Sequence, residues 1–320
     1  MKKSVIKQLF VFCFCVMLAA SEVFSQNIFS VKGNKTYLNG KEFQSIGLRC
    51  SNALLSDNSV DQLIQSLDEY KHYGMNTISV YFMGSRYSNI YGYNIDGTLN
   101  ETYKNRMAKI IEACDERGIV VLVGVLYWGS GMAENKNDFY AEWSQEDVNK
   151  AIQNTIKWLK ENDYLNVFID PDNEGMAERG AGFNIDEMIC KAKEIDENIP
   201  VAYNGRGYPP PCADLSIHFG FTTQDLPYIE TEGTPSNYWG DYSKEPGGDS
   251  YINVGLYTDR KKDMQLRRTK QLLDEGHGYL FASTWLQNVP PNYHLGGDGT
   301  GCDPGIKWWM NFIKETYKQD

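Results

Sequence analysis

The chain has 320 residues, 42% of them apolar and 23% charged, with a formal net charge of −11. That length and mixture belong to a folded globular protein and exclude a disordered or low-complexity chain. The acidic balance disfavours nucleic-acid phosphates and anionic membrane surfaces as long-range partners.

Lys2, Lys3 and Lys7 precede a twelve-residue apolar run, LFVFCFCVMLAA, which is followed by SEVFSQ. A membrane helix needs about 20 apolar residues. The pattern instead predicts a cleavable secretory signal over residues 1–25, a mature chain starting at Gln26, and work outside the cytoplasm. Ser21 stands where a lipid-anchored protein would need Cys. Removing residues 1–25 takes Lys2, Lys3, Lys7 and Glu22 and leaves a net charge of about −13. Cys50, Cys114, Cys190, Cys212 and Cys302 remain, scattered and without zinc spacing. This predicts at most one disulfide, with most thiols acting as small buried apolar groups.

Asn39-Gly40 between alternating apolar residues marks a short N-terminal β-hairpin. From Gln44 onward, short apolar runs alternate with helical patterns. A first strand ends at Leu48. SVDQLIQSLDEYKHYG then places Val60, Leu63, Ile64 and Leu67 on one helical face and stops at Gly74. TISVYF is the second strand, and a helix follows with Met107, Ile110, Ile111 and Cys114 in register. IVVLVGVLY reads as a parallel strand buried on both faces. A third helix carries Val148, Ile152, Ile156 and Leu159 inward before the fourth strand, NVFIDPD. Later strands fall at IPVAYN, DLSIHF, LPYIETE and GYLFASTW. Helices fit IDEMICKAKEIDE, DRKKDMQLRRTKQLLDE and GIKWWMNFIKETYK, where Trp308 and Trp309 belong to the core. Eight strands alternating with helices predict an α/β fold, a single (β/α)8 TIM barrel over residues 26–320. An open doubly wound sheet would want a glycine-rich turn after its first strand, and GLRCSN is not one. The links between strands five, six and seven are too short for full helices. The glycine-rich stretch GGDGTGCDPG reads as a flexible rim loop.

Barrel active sites form at the C-terminal strand ends. Those ends carry Arg49, Tyr127 with Trp128, Asn173 with Glu174, Tyr203 with Asn204, His218, Glu230 with Glu232, and Trp285. Carboxylates across a mouth lined by aromatic faces and amides suit glycoside cleavage, in which one carboxyl protonates the leaving oxygen and another attacks the anomeric carbon.

In these residues the chain resembles the clan of retaining (β/α)8 glycoside hydrolases typified by family 5 cellulases and mannanases. Asn173-Glu174 matches the clan's Asn-Glu pair after strand four, which implies Glu174 as acid/base and Asn173 as a ligand of the sugar 2-hydroxyl. LPYIETEG matches the strand-seven motif and implies Glu232 as nucleophile. His218 in ADLSIHFG and Trp285 after strand eight match further positions. The sequence also departs from that pattern. Gly233 directly follows Glu232, Ser79 stands near the usual strand-two Arg, Tyr127-Trp128 replaces a His, and Gly175 replaces a Pro. Arg49 is the candidate to take over the missing arginine's work. Strand alternation puts Tyr228, Glu230 and Glu232 on one face, so Glu230 rivals Glu232 as nucleophile. Trp128, Tyr203 and Trp285 are candidate sugar platforms, with core packing as the alternative for both tryptophans and a structural role as the alternative for His218.

Other readings of these stretches fail or remain open. An EF-hand loop begun at Asp170 would need Glu at position twelve, where Ala181 stands. A solvated turn accounts for any one of Asp170, Asp172 and Glu174, but not for Asn-Glu closing an apolar strand. Four His without HxH or HExxH spacing, no GxSxG and no P-loop disfavour other hydrolase classes. The expectation is a secreted, monomeric, cofactor-free and metal-free retaining hydrolase of a β-linked glycan. The alternative is a carbohydrate-binding protein on a degenerate barrel that has lost catalysis.

Overall fold

A computed structural model describes residues 26–85, 88–128, 139–232, 255–287 and 290–318. The signal-peptide assignment lies outside the described residues. The Asn39-Gly40 turn forms as expected, within a three-stranded antiparallel sheet of β1 (Phe29–Lys32), β2 (Lys35–Leu38) and β3 (Lys41–Glu42). Gly33, at φ 60°, turns the chain between its first two strands. Phe29 anchors this sheet beneath the barrel, its ring 5.2 Å from Phe168.

Eight parallel strands follow: β4 (Ile46–Arg49), β5 (Thr77–Tyr81), β6 (Val120–Leu126), β7 (Val167–Asp172), β8 (Ala202–Tyr203), β9 (Leu215–Ile217), β10 (Tyr228–Glu230) and β11 (Gly278–Phe281). Their order is β7-β6-β5-β4-β11-β10-β9-β8, and a parallel bridge between Ile169 and Val201 joins the two ends. The sheet is therefore a (β/α)8 barrel. All seven residues of β6 are buried, as its unbroken apolar run requires.

Helices α1 (Asp57–His72), α2 (Glu101–Asp115) and α3 (Gln145–Glu161) cover the first strands. Each starts on a polar cap: Ser56 Oγ accepts from Ser59 N at 3.1 Å, Asn100 Oδ1 from Thr102 N at 3.0 Å, and Ser144 forms a reciprocal capping box with Asp147. The short α4 (Met176–Ala181) and α5 (Ile185–Ile195) follow β7. Residues 204–214 and 218–227 contain no helix, so the barrel is thin between β8, β9 and β10. α6 (Asp259–Asp274) precedes β11, and α7 (Thr284–Gln287) follows it. α8 (Lys307–Thr316) closes the fold, with Trp309 fully buried and Trp308 half-buried.

One expectation changes here. GGDGTGCDPG is not an open loop: β12 (Gly296–Thr300) and β13 (Asp303–Gly305) form an antiparallel hairpin. A Cβ on Gly297 would meet the Asp303 carboxylate at 1.8 Å, so the glycine content permits close strand approach rather than mobility. Of the scattered cysteines, Cys190 and Cys212 form a disulfide with Cα atoms 5.2 Å apart; Cys50 and Cys114 are buried free thiols and Cys302 is exposed.

Candidate active site

The three acids of FIDPDNEG have three different tasks. Asp170 lies inside the barrel, where its Oδ2 accepts from Tyr81 Oη at 2.6 Å and Asn204 Nδ2 at 2.8 Å. Gly124 makes this possible, because a Cβ there would collide with the Tyr81 ring at 1.9 Å. Burial pushes the Asp170 carboxyl up, although Tyr81 and Asn204 oppose it. Asp172 caps α4, accepting from Ala177 N at 2.8 Å and Glu178 N at 3.1 Å. Its burial raises it to about 8 against those two amides. Glu174 alone turns into the mouth. It adopts φ 57°, an uncommon conformation for a non-glycine residue, and Gly175 continues at φ 60°. Arg179 donates to the Glu174 carbonyl and fixes this turn.

Facing Glu174 is Glu232. One atom from each of Glu174, His218 and Glu232 lies within 4.8 Å of the others. Arg49, fully buried, places Nη1 2.6 Å from Glu232 Oε1. It also donates Nη2 to Asn173 Oδ1 at 2.5 Å and Nε to Ser51 Oγ at 3.1 Å. Its guanidinium carbon sits 5.2 Å from the Tyr81 ring centroid and 5.8 Å from that of Tyr127. Ser79 pairs in register with Arg49 on the neighbouring strand. The small serine thus stands beside the arginine.

His218, at φ 45°, is held between two acids. Its Nδ1 lies 2.7 Å from Glu230 Oε1 and its Nε2 3.8 Å from Glu232 Oε2. Glu230 also accepts from Tyr228 Oη at 3.1 Å and from Glu232 N at 3.0 Å, and stands 3.9 Å from Arg268 of α6. The shared face inferred for Tyr228, Glu230 and Glu232 therefore holds for Tyr228 and Glu230 and is interrupted before Glu232. β10 ends at Glu230 and the chain bends at Thr231-Glu232, so Glu230 supports His218 while Glu232 turns to Arg49.

These contacts separate the proton affinities of the facing acids. Burial, the Glu232 charge and a hydrogen bond to Glu232 raise Glu174 to about 8. Burial would also raise Glu232, but Arg49 and His218 outweigh it and hold that carboxyl low. Burial would lower His218, but the charges of Glu230 and Glu232 lift it to about 9. An acid protonated at neutral pH thus faces an ionised one. Glu174, His218 and Glu232 are the one group among the described residues whose donor atoms converge as cation ligands do. In that group the Arg49 guanidinium already faces Glu232 at 2.6 Å.

The aromatic candidates separate. Trp285 is half-buried, donates Nε1 to His294 O at 2.7 Å and lies against Gly255 and Gly296. It remains near the mouth, since Ala282 N donates to Glu232 O at 3.2 Å. Trp128 is packed, its ring 5.4 Å from Phe183 and 6.3 Å from Tyr140. Tyr203 turns away from the acids: its hydroxyl lies against Gly205 and Gly207, on the side of Asp186 and Glu178. Neither offers a platform beside the acids in this arrangement. Sequence reasoning named Tyr127 and Asn204 at strand ends and Asp170 before them without giving them a role, and it missed Tyr81, which bonds Asp170. Alternation could have assigned Asn204, which faces inward because Tyr203 faces out.

The sequence profile of the cellulase family (glycosyl hydrolase family 5) matches residues 36–174, from β2 to Glu174. No curated protein matches the chain. Among solved structures, a β-glucanase from Saccharophagus degradans with bound cellotetraose superposes with a TM-score of 0.53 at 15% identity, covering 92% of this chain and 95% of that one. The endo-1,4-β-mannanase of Rhizomucor miehei gives 0.51 at 14% identity, over 80% of this chain and 90% of that one. The mannanase catalytic domain of Streptomyces sp. SirexAA-E gives 0.51 at 16% identity, over 100% and 98%. Over residues 36–174 the chain is thus similar to the glycosyl hydrolase family 5 (cellulase) profile, on a barrel whose fold is shared along its length with glycoside hydrolases.

Proposed function

We propose that the protein is a secreted retaining hydrolase of β-linked glycans in the β-glucan or β-mannan class. The carrying observation is the facing pair Glu174 and Glu232, with carboxyl oxygens within 4.8 Å and proton affinities displaced in opposite directions. Oxygens this close fall short of the roughly 6.5–9.5 Å of inverting pairs and favour the closer arrangement, about 5–5.5 Å, of retaining ones. Glu232, ionised beside Arg49 and His218, attacks the anomeric carbon. Glu174 gives its proton to the departing glycosidic oxygen, leaving a glycosyl ester on Glu232. Glu174, now ionised, takes a proton from water as the water oxygen attacks the same carbon and frees Glu232. Asn173 accepts from Arg49 through its oxygen and donates to Met176 Sδ at 3.6 Å, which leaves one amide N–H for the sugar. The Cys190–Cys212 disulfide supports an oxidising compartment, in agreement with a cleaved leader.

The test combines reducing-end release from β-glucan and β-mannan with Glu174→Gln, Glu232→Gln and trapping by a 2-fluoro glycoside. A label on Glu232 and losses of about 10²–10⁴-fold are expected. Cleavage intact in both variants sinks the assignment, and glycan binding without cleavage by the wild type favours a binding protein. N-terminal sequencing of secreted protein should begin at Gln26.

A further inference from the structure

The rim beside β7, β8 and β9 carries a feature that bond cleavage does not use. Phe219 follows His218, with ring centroids 4.2 Å apart. Two guanidinium groups stand over the Phe219 ring, Arg206 at 5.0 Å and Arg179 at 5.8 Å from its centroid. Both arginines are exposed. Arg49, Arg106, Arg117, Arg267 and Arg268 each have a carboxylate within 4.0 Å. Arg179, Arg206 and Arg260 of α6 have none among the described residues, and of these Arg179 and Arg206 stand together over the Phe219 ring. Among the described residues of a chain with net charge −11, two cations thus stand beside the acid pair without a carboxylate within 4.0 Å. Arg179 also donates to the Glu174 carbonyl, which places this charge next to the reacting groups.

Further out on the same rim, Tyr208 is 75% exposed and Phe221 52% exposed, with ring centroids 5.3 Å apart. Phe221 N donates to Gly207 O at 3.1 Å, which ties their two loops together. Exposed aromatic faces beside a glycan site suit stacking on a sugar ring. Neutral sugars need hydroxyl partners and gain little from unpaired positive charge. A carboxylate or sulfate accepts from a guanidinium fork in a charge-assisted, geometrically matched way.

Resting on the glycosidase reading, we propose that this rim is a subsite for an anionic sugar. Arg206 and Arg179 hold the acidic group and the Tyr208–Phe221 pair receives a ring, so the preferred substrate is an acidic β-linked glycan.

The test uses Glu232→Gln protein, which binds without turnover, in affinity electrophoresis. The probes are glucuronoxylan, polymannuronate and a sulfated galactan, each beside its carboxyl-reduced or desulfated form, with β-glucan and β-mannan as neutral references. At least one anionic probe should bind tenfold or more tightly than its neutralised form, with the preference falling as salt rises. Adding Arg206→Gln should weaken that probe roughly tenfold and leave neutral binding unchanged, and adding Arg179→Gln should weaken it further. The neutralised form that loses affinity identifies carboxylate or sulfate. Equal binding of both forms, a preference surviving the double arginine change, or no anionic probe bound would each overturn the proposal. Wild-type cleavage of neutral glucan or mannan without anionic preference keeps the hydrolase and removes the subsite. Anionic preference without cleavage of any probe by the wild type does the reverse.

Discussion

The two halves of the barrel are built differently. From β4 to β7 the strands run four to seven residues and alternate with helices of 15–17 residues. From β8 to β10 they shrink to two or three residues, without helices between them. Apolar burial along continuous faces specifies the first half. The second is held by individual polar and covalent links. Asp214 Oδ2 accepts from Val201 N and from Lys193 Nζ, each at 2.8 Å, and the Cys190–Cys212 disulfide fastens α5 to the same segment. The family profile ends at Glu174, where the regular half ends. The difference teaches where each kind of information resides: the regular arc carries the general scaffold, and the thin arc carries His218, Glu230, Glu232 and the basic rim.

Breaking the bond that joins the halves should have the largest effect. Arg49 of β4 reaches Glu232 beyond β10 and Asn173 after β7. Arg49→Gln leaves a buried carboxylate without its cation, which costs about 3–5 kcal/mol. It should lower stability by that order in urea melts and reduce kcat/KM by at least about 10²-fold. Arg49→Lys should not rescue activity, because one ammonium cannot serve Glu232, Asn173 and Ser51 in the planar geometry of the fork. Near-wild-type turnover in Arg49→Lys would show that charge alone suffices.

The disulfide tests the thin arc by itself. Cys190 and Cys212 are 22 residues apart, and loop-closure entropy assigns such a cross-link about 3 kcal/mol. Cys190→Ser with Cys212→Ser should lower stability by that order and leave the pH profile of activity unchanged. Loss of activity in protein that remains folded would mean that the thin arc positions His218 through this tether.

The same contrast decided what the sequence revealed. Hydrophobic periodicity placed α1, α2, α3 and β6 directly, because each buries a continuous face. The gathering of Glu174, His218 and Glu232 followed from barrel topology, which brings strand ends together whatever lies between them. The division between Glu230 and Glu232 was hidden, because it depends on a bend at Thr231 that interrupts strand alternation. The outward turn of Tyr203 follows from alternation but competes with the habit of assigning aromatics to sugars. The short links foretold the helix-free return after β8, but not that it brings Cys212 against Cys190 of α5. The hairpin at 296–305 was masked by a glycine content equally suited to an open loop.

The facing acids predict a pH profile. Glu174 must hold its proton to act as the acid, so kcat/KM should fall as pH rises through about 8. Glu232 must be ionised, so the acid limb should lie below the ordinary glutamate value of 4.5. On a substrate with an activated leaving group, Glu174→Gln should flatten the alkaline limb of the first chemical step. An alkaline limb of unchanged position in that variant would assign it to another group.

The smallest expected effect separates the two candidate nucleophiles most cleanly. Glu230→Gln keeps a hydrogen-bond partner for His218 but removes the nearer of its two carboxylate charges. Burial already pulls His218 down, and Glu230 and Glu232 together lift it to about 9. Loss of one neighbouring charge should lower it by about 1–3 units, toward its ordinary 6.5. Because the folded value is raised, the stability it contributes is complete below 6.5 and lost as pH rises through about 9. The wild type should therefore lose stability with rising pH across that window, and the variant should lose less. His218 is one of four histidines in the chain, so its imidazole titration is resolvable by NMR. With Glu232 as nucleophile, Glu230→Gln retains activity across the wild type's pH range, because Arg49 keeps Glu232 ionised when His218 is neutral. With Glu230 as nucleophile, the same variant is inactive at every pH while Glu232→Gln keeps turnover. The contacts favour the first outcome: Glu230 is committed to His218, Tyr228 and Arg268, whereas Glu232 faces Glu174 across the mouth.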